Sequence, residues 1–76
     1  MKVKRIYPGS LNGLINYIEE NFQEIDQYVV TFHLKEGSTL TVYDSYSYLE
    51  AVGLAGIALD TIHHSAHEGE FEPKER

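Results

Sequence analysis

From Tyr28 to Asp44 the chain alternates in period two. Val30, Phe32 and Leu34 fall on one side against Val29, Thr31, His33 and Lys35, and after Glu36-Gly37-Ser38 the pattern resumes with Leu40 and Val42 against Thr39, Thr41 and Tyr43. Such alternation on both sides of a short glycine-containing break predicts a β-hairpin that is wet on one face. The other face needs cover. Upstream, Leu11, Leu14, Ile15, Ile18 and Phe22 recur three and four apart, which predicts an amphipathic helix reaching about Gln23, N-capped by Ser10, with Ile25 packing just past its end. Asn12-Gly13 weakens the first turn, so the start can slide by a few residues. Downstream, Ser47 and Glu50 have the S-x-x-E spacing of a capping box, and Gly69 stands where a helix C-cap belongs. A second helix therefore runs from about Ser47 to the histidines at 63, 64 and 67.

Residues 2–7, with Val3 and Arg5 on one side and Lys4 and Ile6 on the other, predict a first strand ended by Pro8-Gly9. The resulting order is β-α-β-β-α. It implies an α+β fold: a small two-layer sandwich with a three-stranded, mainly antiparallel sheet and both helices on one face. Two strands alone are marginal in water, which favours three strands or a sheet completed by a second chain. Residues 1–69 form the expected single domain, and 70–76 a charged C-terminal tail.

The second helix carries more apolar surface than one sheet can use. At 100° per residue, Leu49, Val52, Ala55, Leu59, Ile62 and Ala66 form one stripe, assigned to the core, while Leu54 and Ile57 fall on the opposite side near Gly53 and Thr61. Two destinations are open for Leu54 and Ile57: cover by the 46–48 segment and the tail, or a self-association or partner surface. The second would use Gly53, Leu54, Ile57 and Thr61, joined by Tyr43 and Tyr46 from the tyrosine-rich strand-to-helix junction, since tyrosine is enriched at interfaces. Tyrosine is also an ordinary strand residue on the outer face of a thin sheet.

Length and charge narrow the functions. Seventy-six residues lie near the lower limit for folding without a staple, and the absence of cysteine excludes disulfides, thiolate metal sites and a cysteine nucleophile. That absence fits a reducing cytoplasm. No apolar run is long enough to cross a bilayer, and the basic start, Lys2, Lys4 and Arg5, leads into no hydrophobic signal segment, so the expectation is a cytoplasmic protein without membrane contact. The net charge of −6, with Lys35 the one base inside the predicted body, disfavours direct nucleic-acid binding.

Candidate chemistry is sparse. His63 and His67, and likewise Asp60 and His64, are four apart and able to aim two ligand atoms one way, so His63, His64 and His67 are metal candidates, with His33, Glu68 or Glu70 to complete a site. HHxxH lacks the glutamate of the zinc-protease helix, and histidines in a last helical turn also suit the carbonyl end of the dipole. No phosphate loop, nucleophile elbow or carboxylate pair at a catalytic spacing occurs, so no enzyme activity and no cofactor is expected. The reading is a small non-catalytic protein–protein interaction module or regulator, with a homodimer among its forms. One alternative is an acidic inhibitor of the phage or mobile-element kind, mimicking nucleic-acid phosphates with Glu19, Glu20, Glu24, Asp26, Glu36 and Asp44. Another is a weak metal-responsive binder that uses the histidines.

Overall fold

The structure is a computed structural model that describes residues 11–74. Along the chain come helix α1 (Gly13–Asn21), a 3-10 turn (Phe22–Glu24), strands β1 (Tyr28–His33) and β2 (Thr39–Asp44), and helix α2 (Tyr48–His67). The fold is α+β, with the order α-β-β-α and a two-stranded antiparallel sheet. The expected three-stranded sandwich of order β-α-β-β-α is thereby corrected. Its N-terminal strand over 2–7 and the Ser10 cap lie outside the described residues. The physical reason lies in range: a hairpin closes across five residues, whereas a third strand has to return across all of α1, and short alternation alone does not specify that pairing. Nor do both helices cover the sheet. α2 packs on β1, and no comparable packing joins α1 to the hairpin or to α2 among the described residues.

Local signals account for the elements that form. α1 starts one residue after Asn12, whose carbonyl accepts the first helical bond from Asn16 N–H at 2.9 Å, and it ends where the Asn21 side-chain amide donates to the Tyr17 carbonyl at 2.9 Å. The hairpin register pairs Tyr28 with Asp44, Val30 with Val42 and Phe32 with Leu40. Thr31 faces Thr41, and their hydroxyls meet at 2.8 Å across the strands. In the connecting turn Gly37 has φ 107°, a conformation that side-chain-bearing residues rarely adopt, and its N–H donates to the Leu34 carbonyl at 3.0 Å. Ser38 donates to the Glu36 carboxylate from both its N–H and its hydroxyl, which lowers the Glu36 pKa below the usual glutamate value.

α2 is bounded at both ends. Ser47 Oγ accepts from Glu50 N–H at 3.1 Å while its hydroxyl donates to the Glu50 carboxylate at 3.0 Å, so the S-x-x-E spacing does produce the cap, with serine and glutamate bonded to each other. At the other end Gly69, with φ 75°, donates to the Ala66 carbonyl at 3.2 Å and Glu70 N–H donates to the Ser65 carbonyl at 2.8 Å, which together make a Schellman cap. Gly69→Ala places a Cβ in the left-handed region. It is expected to cost about 1 kcal/mol and to fray the last turn, read by chemical denaturation and helical circular dichroism.

The buried side of α2 is not the one the hydrophobic pattern selects. Ala51 and Leu54 are half-buried, and Thr61 and Ser65 are buried, whereas Leu49, Val52, Leu59 and Ile62 are 74, 54, 57 and 46 % exposed. The stripe assigned to the core is therefore an outer surface. A two-stranded sheet is too narrow to cover two helix faces. The three-residue link 45–47, pinned by hydrogen bonds to Gln27 and Asp26, fixes which face turns inward. On the sheet, Val30, Phe32 and the adjoining Leu34 are half-buried, whereas β2 is exposed along its whole length.

Candidate functional site

Two features gather at the open end of the hairpin and along the outer side of α2. The first is a polar clamp. Gln27, half-buried just before β1, accepts at Oε1 from the Ser45 hydroxyl at 2.7 Å and from Tyr46 N–H at 3.3 Å, while Tyr46 Oη donates to Asp26 Oδ1 at 2.5 Å. These partners continue the strand register: if Tyr28 faces Asp44, then Gln27 comes opposite Ser45 and Asp26 opposite Tyr46. The clamp was thus readable from the hairpin pairing once extended two residues past the strand ends. Its effect is to tie the start of α2 to the start of β1.

Tyr46 is exposed and its pKa is raised above the ordinary tyrosine value. The causes in order are its hydrogen bond to Asp26, the Asp26 charge, a small loss of hydration, and the charges of Asp44 and Glu50. Spectrophotometric titration is expected to show one tyrosine ionising later than free tyrosine, and Asp26→Asn to bring it back toward the ordinary value. A group whose folded pKa is raised stabilises the fold fully below its unfolded pKa, so this contribution is present near neutrality and is lost as pH climbs through the Tyr46 transition.

Beside the clamp, Tyr43, Ser45, Ser47, Tyr48 and Ala51 line an open groove of about 420 Å³. Its walls are aromatic rings and its polar groups are hydroxyls, with no carboxylate or imidazole in the lining. Such a surface offers docking contacts.

The second feature is the outer face of α2 itself. Gly53 and Gly56 are both exposed, and among the described residues nothing outside the helix's own neighbouring turns comes within 4 Å of where a Cβ would stand on either. Each internal glycine costs a helix about 1 kcal/mol relative to alanine, and no close approach among the described residues requires it.

The residues singled out from sequence do not form one patch. Gly53 is exposed and Ile57 is 52 % exposed, but Leu54 is half-buried and Thr61 buried on the side turned toward the chain; Tyr43 lines the groove and Tyr46 closes the clamp. His63, His64 and His67 are all exposed in the last turns of α2, and among the described residues no three His, Asp or Glu side chains are grouped to hold a metal ion. Glu19, Glu20, Glu24, Asp26, Glu36 and Asp44 are exposed too. They divide between α1 with its 3-10 turn, the hairpin turn at Glu36, and the opposite, open end of the hairpin at Asp26 and Asp44. What sequence reasoning missed is the Gln27 clamp, the inward Thr61 and Ser65, and the outward Leu49, Val52, Leu59 and Ile62. No helix among the described residues is long and apolar enough to cross a membrane. Comparison with protein-family models, curated proteins and solved structures found no match.

Proposed function

We propose that this chain is a non-catalytic protein–protein interaction module, one whose exposed apolar surfaces are completed by packing against another protein surface. One observation carries the reading. Among the described residues no apolar side chain is fully buried, while sixteen large ones, from Leu11 to Phe71, are exposed. Isolated apolar residues on a surface are ordinary, but a helix and a strand exposed together over their lengths are not. The chain exposes 6993 Å², about half as much again as the roughly 4,700 Å² of a compact monomer of its mass. Its radius of gyration is 13.5 Å, against about 11.4 Å for a compact chain of this length.

The acidic surface supports phosphate mimicry less well, because its carboxylates are spread over both ends of the hairpin. The test is molecular mass by light scattering, with binding of an apolar dye measured in parallel at low and high salt. The expected result is either an assembly that excludes the dye or a monomer that binds it strongly, in both cases little changed by salt. A monomer at about 100 µM that leaves the dye dark overturns the proposal, since its apolar surface would then be sheltered within one chain.

A further inference from the structure

An interaction module of this kind leaves its partner open; the outer face of α2 narrows it, and the pairing inferred from that face rests on the interaction reading. Leu49, Val52, Gly56, Leu59, His63 and Ala66 recur at alternating steps of three and four, and every one of them is exposed. That spacing is the seam of a two-helix pair. Gly56 sits in the middle of it as a notch, with no other element among the described residues within 4 Å of where its Cβ would stand.

We propose that the partner is a second copy of this chain, and that the two α2 helices pair antiparallel about a two-fold axis passing between residues 57 and 58. Under that symmetry position 56 of one copy faces 59 of the other, 52 faces 63, and 49 faces 66. Leu59 of each copy enters the notch left by Gly56 of the other, and Leu49 packs on Ala66, so large residues meet small ones along the seam. A parallel pair does the reverse: it sets Gly56 against Gly56, while Val52 and Leu59 meet their own counterparts and hold the backbones apart, leaving a void at the centre. It also stacks His63 on His63. The antiparallel pair sets the helix dipoles in opposition, and its interface is isologous, as a closed dimer requires.

Exposed apolar surface supports a second copy as the occupant: Leu49, Val52 and Leu59 on this face are 74, 54 and 57 % exposed, and a second α2 would cover them together, toward the roughly 800 Å² that a standard interface takes from each partner. α2 is long enough to provide such a seam, since its 20 residues extend about 30 Å. The groove lined by Tyr43 and Tyr48 lies at the N-terminal end of α2, where the C-terminal end of the other copy's helix arrives in this arrangement.

The test is sedimentation equilibrium of the full chain and of Gly56→Leu. A Cβ at 56 meets no other element among the described residues and leucine is a better helix former than glycine, so helicity by circular dichroism is expected to hold or rise while the dimer weakens about tenfold or more in Kd. The composition-preserving swap Gly56→Leu with Leu59→Gly is expected to restore association, because the large and small positions still face each other. Orientation is read by disulfide formation, as the chain has no cysteine of its own: Val52→Cys chains mixed with His63→Cys chains are expected to cross-link to each other. A dimer untouched by Gly56→Leu overturns the α2 seam and leaves the interaction reading standing. Val52→Cys chains that cross-link among themselves overturn the antiparallel arrangement. A wild-type monomer at about 100 µM overturns self-pairing: if it binds the apolar dye the interaction reading survives with a different partner, and if it does not, both fall.

Discussion

Raising the protein concentration a hundredfold is expected to raise the thermal unfolding midpoint by about 5–10 °C. The shift follows from mass action. When folding and association are coupled, a hundredfold change in concentration contributes about 2.7 kcal/mol per dimer, roughly half of it per chain, and in a domain of this size 1 kcal/mol moves the midpoint by about 4–8 °C. That coupling belongs to the proposed dimer, and it is motivated by the described part of the chain, where the only buried side chains of any size are Thr61 and Ser65 and the apolar residues are at best half-covered. Scanning calorimetry or circular dichroism from about 5 to 500 µM decides the matter. A midpoint constant within about 1 °C shows that one chain reaches its stability alone.

Phe32→Ala is expected to destabilise the fold by about 2 kcal/mol, roughly half the cost of emptying a fully enclosed phenylalanine site. Phe32 is half-buried on β1, the strand on which α2 packs. Its cross-strand partner Leu40 has 49 % of its surface exposed, so Leu40→Ala is expected to cost under about 1 kcal/mol. Against a total stability of about 4–11 kcal/mol for a chain this long, the difference is readily measured by urea denaturation at one fixed concentration. Equal losses at the two positions would mean that the covered face extends across β2, and hence that something besides α2 lies over the hairpin.

The parts legible in the sequence were those set by neighbours a few residues apart. The two hairpin strands, the glycine of the turn, the serine cap at Ser47 and the glycine stop at Gly69 each follow from spacings of two to four residues, and all stand where those spacings put them. The rotation of α2 about its axis was not legible. Both of its apolar stripes satisfy the periodicity of a core, and the choice is made by the short 45–47 link and by bonds from Gln27 and Asp26 that span eighteen to twenty positions. The small residues Ala51, Thr61 and Ser65 turned inward because a helix lying on a flat pair of strands gains from close approach, a preference that hydropathy does not record. The same rotation moves the candidate surface from Leu54 and Thr61 to Leu49, Val52 and Leu59.

β2 has a further meaning for a chain of this kind. From Thr39 to Tyr43 it carries two threonines, a leucine, a valine and a tyrosine, without charge or proline, and the two-stranded sheet leaves its outer edge unpaired among the described residues. That is the composition of a segment able to stack into cross-β fibrils. Lys35 and Glu36 before the strand and Asp44 as its last residue are charged flanks of the gatekeeper kind, which would place like charges in register if copies stacked. Those three charges oppose in-register stacking of the strand.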